Sequence, residues 1–218
     1  LGETNNRDNA PEAGTTRFNQ DFGTLEFFDG VNWKTVNSYA RYHGGAAGRA
    51  VVAGGSDGDD ADIQSISYFT MSTGGNAINF GDLTTASNTQ TGACASETRG
   101  IVYIGKGSNV IDYLTIASAG NAIDFGDPSV NNKQQVTDGC SSSTRGLFGG
   151  GLTPSGPTVH DVIEYVEIDT LGNAIDFGDL TSPRFSCSSM QSPTRGFFAQ
   201  GYHNGDDASF STIDMVKF

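Results

Sequence analysis

Few residues of this sequence have the types and spacing that chemistry needs. Four carboxylates crowd into Ser56-Asp57-Gly58-Asp59-Asp60-Ala61-Asp62. Calcium takes about six to eight oxygens, often from closely spaced Asp residues around a Gly. Asp57, Asp59, Asp60 and Asp62 are therefore candidate calcium ligands, and calcium is the one cofactor the sequence leaves room for. The EF-hand spacing is absent and no Glu closes the set, which favours a solvated acidic turn. Asn204-Gly205-Asp206-Asp207 is a second acidic stretch open to the same two readings. His43, His160 and His203 are isolated, with no H-x-x-x-H pair to hold a metal. No G-x-S-x-G elbow, phosphate loop or dinucleotide fingerprint occurs. Carboxylates that cleave glycans meet only in space, so a glycan-cleaving protein stays open as an alternative. The expectation is a protein that is not an enzyme.

The remaining reactive side chains are Cys94, Cys140 and Cys187. Each precedes a recurring Thr-Arg-Gly by a few residues, which reads as a small buried side chain on an inner strand. An odd count at this spacing makes no disulfide framework. Free thiols fit a reducing compartment.

The elements that position these residues come from a repeat. GNAINFGDL at 75–83 returns as GNAIDFGDP at 120–128 and GNAIDFGDL at 172–180. A second string, out of phase, reads TRGIVYIGKG from Thr98, TRGLFGGG from Thr144 and TRGFFAQG from Thr194, with a weaker GRAVVAGG from Gly48. Its arginines fall at 49, 99, 145 and 195. A third string lies between: SISYFTM (65–71), VIDYLTI (110–116), VIEYVEI (162–168) and TIDMVKF (212–218). A fixed period near fifty residues marks a repeat architecture.

Each unit parses into four short strands: a small-residue run, the TRG strand, the alternating IDY strand and the NAIDFGDL segment. Four strands per unit in about four units is the arithmetic of a small β-propeller. An Arg or Asp that occurs once per unit, such as Arg99 or Asp127, reads first as a bond holding neighbouring units in register, and second as a ring of charge at one mouth. The last unit stops before its NAIDFGDL segment. Two readings of Asn32-Trp33-Lys34-Thr35-Val36 follow: a strand that completes the last unit and so removes an edge, or the second arm of a hairpin with Leu25–Phe28. The expected division is a connector or hairpin at 1–37, for attachment or ring closure, and a propeller at 38–218.

Composition agrees with strands. Gly is frequent, at 30 of 218 residues, while the helix-favouring Lys, Glu and Leu are sparse. The net charge of −13 argues against binding nucleic acid or an anionic membrane. It suits a soluble protein exposed on a particle or outside a cell. No apolar run reaches the length of a membrane span, and no signal-peptide pattern opens the sequence.

From about Gly44 to Phe218 the order of strings resembles the kelch repeat. Gly54-Gly55 and Gly149-Gly150 match its Gly pair, degraded at Gly105-Lys106-Gly107 and Gln200-Gly201. Phe80, Phe125 and Phe177 stand where the kelch unit has Trp. The segment PEAGTTRFNQDFGTLEFFDGVNWKTV at 11–36 is similar to a G-x-x-RFN … LE-aromatic-aromatic-DG-x-x-W motif of tail-fibre and other virion proteins of tailed bacteriophages. The repeats resemble fibre-type structural proteins of marine, cyanobacterial-type phages. These resemblances imply an all-β protein with a kelch-like propeller of about four blades behind an N-terminal β-hairpin segment. They imply a virion surface protein, fibre or knob, acting in host attachment or as an appendage, assembled in the host cytoplasm. A capsid decoration protein making only protein–protein contacts is the alternative. Implied partners are other virion proteins through the N-terminal segment, a host surface glycan or protein, and further copies of the chain, a trimer being favoured. No catalytic residue carries over.

The connections between the Gly-pair strand and the IDY strand should emerge on one face. They are 56–62, 108–109, 152–160 and 202–209, and they vary while the strands stay alike. Variable loops on a rigid scaffold are where recognition is placed. The candidate ligand-binding residues there are Tyr202, His203, Asp206, Asp207, His160 and Lys106. Plain drift of unconstrained loops is the competing reading.

Overall fold

The computed structural model describes every residue except 22, 37–47, 60, 72, 88–90, 106–107, 132, 134–137, 154–157 and 204–207. The described residues form small antiparallel sheets and one short 3-10 turn at Thr4–Asn6, with no α-helix among them. The chain divides into two units, Leu1–Tyr42 and His43–Phe218.

The first unit is a meander of β1 (Thr16–Asn19), β2 (Thr24–Phe28) and β3 (Trp33–Val36). The turn between β2 and β3 is set by Asp29, whose Oδ1 accepts from the backbone N–H of Val31 (2.9 Å) and Asn32 (2.7 Å). That side-chain turn is what Asp does best, and Gly30 supplies the positive φ of 98° that follows it. Phe28 then lies opposite Trp33, ring centroids 5.7 Å apart. The hairpin reading of 25–36 is therefore the one found. In it β3 pairs with β2, with Leu25 opposite Val36.

The RFN and LE strings of this unit have a physical cause. Glu26 is fully buried in β2. Arg7 donates to both its carboxylate oxygens (3.1 and 2.6 Å), Asn19 donates to Oε2 (3.1 Å), and Arg17 Nε lies 3.4 Å from Oε1. Alternation in β1 puts Arg17 and Asn19 on one face, toward that carboxylate.

The second unit holds four sheets in chain order. Sheet I is β4 (Arg49–Ala53), β5 (Ser65–Thr70) and β6 (Ile78–Asp82). Sheet II is β7 (Gly92–Ala95), β8 (Arg99–Ile104), β9 (Val110–Thr115) and β10 (Ile123–Gly126). The third stretch runs through β11 (Cys140–Ser141), β12 (Arg145–Gly149), β13 (Leu152–Thr153), β14 (Thr158–Val159), β15 (Val162–Glu167) and β16 (Ile175–Asp179). Sheet III takes β11, β12, β15 and β16, and β13 pairs with β14 as a separate ribbon. The last stretch is β17 (Ser188–Ser192), β18 (Arg195–Ala199), β19 (Tyr202–His203), β20 (Ala208–Ser209) and β21 (Ile213–Lys217). Sheet IV is β17-β18-β21, with β19 and β20 as a second ribbon.

Sheets II and III carry the four strands per unit expected from the strings, in the expected order. Sheet I shows three, its small-residue run lying outside the described residues. Sheet IV shows three among the described residues. The apolar core forms in layers between consecutive sheets. Ile66, Phe80 and Leu83 pack with Val102, Leu114 and Ala122 between I and II. Ile101, Tyr103 and Phe125 pack with Phe148, Val166 and Ala174 between II and III. Leu147, Ile163 and Leu180 pack with Phe198 between III and IV. A sheet alone would leave one of these faces wet, so each is stabilised by its successor.

Candidate functional site

Each repeated string makes a bond to the next unit. In the Phe-Gly-Asp step the chain bulges, the register slipping between Asp124 and Gly126 in sheet II. The glycine takes φ of 155° at Gly81, 150° at Gly126 and 147° at Gly178. The bulge turns two carbonyls outward. Phe80 O accepts from Gly120 N (2.7 Å) and Asp82 O from Ala122 N (2.8 Å). One unit later, Phe125 O accepts from Gly172 N (3.0 Å) and Asp127 O from Ala174 N (2.8 Å). The Asn of each Gly-Asn-Ala adds a bond, Asn121 Oδ1 accepting from Asp82 N (3.2 Å) and Asn173 Oδ1 from Asp127 N (3.0 Å). The approach is so close that a Cβ on Gly81 would stand 2.3 Å from Gly120 O, and one on Gly126 2.5 Å from Gly172 O.

Two of the TRG arginines serve the same seams, while Arg145 donates to Glu167 of its own sheet (2.7 Å). Arg49 Nη1 donates to Ile116 O (2.7 Å) and Ala117 O (2.9 Å), and Arg99 Nη1 to Ile168 O (3.0 Å). Each also lies over the Tyr of its own unit: Arg49 on Tyr68, Arg99 on Tyr113 and Arg145 on Tyr165, 4.5 to 5.0 Å from the centroid. Each Tyr meets the Phe of its FGD string edge-on. The register-holding reading is thus the one found, through carbonyls and rings rather than the FGD carboxylates. Asp82, Asp127 and Asp179 are exposed.

Cys94 and Cys140 occupy the same seams, whereas Cys187 packs against Gly201 of its own unit. A Cβ on Gly146 would stand 2.4 Å from Cys94 Sγ, and one on Gly196 2.6 Å from Cys140 Sγ. The TRG glycine is the space that the preceding unit's sulfur fills. All three thiols are free, Cys140 and Cys187 buried and Cys94 partly so. Burial pushes the Cys140 thiol up to about 12 and raises Cys94 and Cys187 as well.

Sequence reasoning missed a row of enclosed carboxylates in the third strands. Asp112 accepts from Thr84 N (2.8 Å) and Oγ1 (2.7 Å). Glu164 accepts from Ser129 N (2.5 Å) and Oγ (2.6 Å) and from Val130 N (3.1 Å), and is bonded to the buried Lys133 ammonium. Asp214 accepts from Thr181 N (2.9 Å) and Oγ1 (2.8 Å) and from Arg184 Nη2 (2.7 Å). Burial alone would raise the Glu164 and Asp214 carboxyls. Lys133 and the Ser129 donors outweigh it at Glu164, and Thr181 and Arg184 at Asp214, so both lie below the usual range. Among the described residues Asp112 has no cation paired with it, and burial pushes it up. The signal was present: an acid centres each of the last three alternating strings, and a Ser or Thr follows each FGD-Leu or FGD-Pro.

Among the residues picked for recognition, the structure places His160, Tyr202 and His203, all half-buried. His160 closes the β13–β14 ribbon, its N–H donating to Gly151 O (2.9 Å) and its Nε2 lying 2.8 Å from Thr153 Oγ1. Burial, helped by Lys133, lowers its pKa below the ordinary 6.5. Tyr202 exchanges backbone bonds with Phe185 (both 3.0 Å), their rings edge-on at 5.5 Å. Arg184 N donates to His160 O (3.1 Å). His160 and Tyr202 therefore flank the same two-residue segment, Arg184-Phe185. His203 pairs with Ala208 in the second ribbon. Asp206, Asp207 and Lys106 lie outside the described residues.

No protein-family model matches the chain, and no curated protein matches it. The reading of function rests on its own residues.

Of the candidate calcium ligands, Asp57 holds its own loop: its Oδ1 accepts from Asp59 N (3.0 Å) and Ala61 N (2.9 Å). Ser56 bridges to Asp62 across the loop, and Asp60 lies outside the described residues. Among the described residues no three His, Cys, Asp or Glu side chains converge as a metal site. An open cavity of about 430 Å³ lies beside the inner strands, lined mainly by apolar groups such as Val51, Ala95, Leu114 and Ile116, with Gly139 and Gln191. It contains none of the candidate residues.

Proposed function

We propose that the chain is a non-enzymatic β-propeller of about four kelch-like blades that serves as a fibre or knob on the surface of a phage virion. In this reading the first unit joins it to other virion proteins, and copies of the chain assemble, a trimer being favoured. The observation that carries it is the contrast between constant seams and changing loops. The same carbonyl and arginine contacts join sheet I to II and II to III, and the same glycine–sulfur contacts join II to III and III to IV. The connections after the Gly pair differ: an Asp57-capped turn in one unit and ribbons β13–β14 and β19–β20 in two others. A scaffold held alike with loops that differ is the arrangement recognition uses. His160, Tyr202 and His203 are the side chains on offer there, to a host surface glycan or protein.

Antibody-gold labelling of intact particles tests this reading. Label at fibres or their tips, with adsorption blocked by the free chain, is the expected result. Unlabelled particles with the epitope shown to be accessible would overturn it. Label spread over the head would instead select a capsid decoration or assembly protein that makes only protein–protein contacts.

A further inference from the structure

The three enclosed carboxylates of the third strands differ in what faces them. Asp112 is fully buried, with no cation paired to it among the described residues. Asp214 faces Arg184, whose guanidinium stays protonated and is no nucleophile. Glu164 faces an amine. Lys133 is 1% exposed and Glu164 0%, and Lys133 Nζ is bonded to Glu164 Oε2. The other carboxylate oxygen takes three donors, Ser129 N (2.5 Å), Ser129 Oγ (2.6 Å) and Val130 N (3.1 Å). Tyr103 Oη donates to Oε2 at 3.4 Å. The Tyr103 ring centroid lies 5.6 Å from Nζ, and the ring packs on Phe148 in the core between sheets II and III. An amine thus meets a carboxyl whose oxygens are already divided, one among three donors and one beside the nitrogen, in a place closed to solvent.

We propose that Lys133 and Glu164 condense to an intramolecular amide, a covalent cross-link between the stretch that follows β10 and strand β15. The ion pair is the state of the newly folded chain, and the step balances within it. The ammonium passes one proton to Oε2, which leaves a neutral amine and a carboxylic acid. Nζ then attacks Cδ. The charge that develops on Oε1 falls among the Ser129 and Val130 donors, an arrangement that stabilises such an oxyanion. The Cδ–Oε2 bond breaks, and Oε2 departs as water with two of the three ammonium protons, the third staying on the amide nitrogen. Tyr103 Oη, beside Oε2, relays a proton to the leaving oxygen. No oxidant or cofactor is needed. Held in contact, the two groups react as parts of one molecule. A buried ion pair carries a desolvation cost that a neutral amide lacks, and the site excludes the water that would reverse the step. Burial is also the largest influence on the ionisation of both groups, pushing Lys133 down and opposing the donors that hold Glu164 low, so it favours the neutral pair. The bond joins residues 31 apart in the chain and fixes the passage from sheet II to sheet III in a protein whose cysteines are free. The inference stands independently of the virion reading.

Intact mass spectrometry of the purified full chain, held folded until its mass is constant, tests this. The expected result is a chain one water lighter than its sequence, with tryptic cleavage after Lys133 lost and tandem spectra that join Lys133 to Glu164. Asp-Gly steps such as Asp29-Gly30 also lose water when they cyclise to succinimides, so the position of the loss decides. Lys133→Arg keeps a buried cation but has no amine, and should retain its full mass with the far-UV circular dichroism unchanged. The peptide map of the unsubstituted chain decides even where that variant does not fold. The proposal is overturned by a full mass in the folded unsubstituted chain, by separate unmodified peptides carrying Lys133 and Glu164, or by a loss of water that persists undiminished in Lys133→Arg.

Discussion

Gly126→Ala and Gly178→Ala are the same substitution in the same backbone conformation, at φ 150° and 147°. The strain of placing a side chain there is common to both and cancels in their difference. What remains is the seam. At Gly126 the new methyl would stand 2.5 Å from Gly172 O, a backbone atom that cannot swing aside, while at Gly178 nothing described lies within 4 Å. Relieving the overlap parts Gly172-Asn173-Ala174 from Phe125-Gly126-Asp127. Three hydrogen bonds go with it, two backbone bonds of 3.0 and 2.8 Å and the Asn173 bond of 3.0 Å. At about 1 kcal/mol each, and with partial relaxation, Gly126→Ala should be about 2–4 kcal/mol less stable than Gly178→Ala. For a chain of this size that is a difference of roughly 5–15 °C in Tm. Urea unfolding followed by circular dichroism, both variants in one buffer, measures it. Equal midpoints, or a lower one for Gly178→Ala, would refute the seam as the reason for the FGD glycine.

Glu26→Gln should lower the unfolding midpoint of the first unit, a loss of about 2–3 kcal/mol from breaking a buried pair, and Trp33, the sole tryptophan, reports it by fluorescence. The hydrogen bonds from Arg7 hold the Glu26 carboxyl below its ordinary 4.5. Its contribution is therefore fully present above that ordinary value and lost as the pH falls from there through the lowered folded one, so the Trp33 transition should weaken on acidification in the unsubstituted chain and less so in Glu26→Gln. Lys133→Met leaves Glu164 buried without its cation and should cost about 3 kcal/mol, of which adding Glu164→Gln restores about 1–2 kcal/mol; denaturant unfolding of the single and double variants gives both figures. Cys94, Cys140 and Cys187 should react slowly with a thiol reagent in the native protein and fully in denaturant, because burial raises all three; rapid native labelling of Cys140 would contradict its packing on Gly196.

The repeat was legible because its cues are local. A Gly pair, an alternating Val-Ile-Asp-Tyr and a Thr-Arg-Gly each fix a few residues of backbone, and sheets II and III follow them strand for strand. Asp29 and Gly30 announced the β2–β3 turn in the same way. Partners that meet only across a seam were hidden. Thr84 and Asp112, or Ser129 and Glu164, lie 28 and 35 residues apart, and nothing in either string names the other. The acidic loop was open in sequence to a cation site and to a solvated turn, and the turn's own bonds, Asp57 accepting from the N–H groups of Asp59 and Ala61, are not written in the spacing of its carboxylates. The fate of Trp33 was open in sequence because a hairpin arm and a closing strand need the same alternation.

The Gly-Asn-Ala that docks on the preceding unit and the Phe-Gly-Asp that receives the following one lie within a single nonapeptide stretch. Donor and acceptor therefore travel together in the gene. Duplicating or deleting one whole period leaves every remaining junction complete, because each copy carries both halves of the joint. A cut anywhere else in the period would leave one half without its mate. Length in such an array is free to vary by whole units, and selection on length has no joint to reinvent.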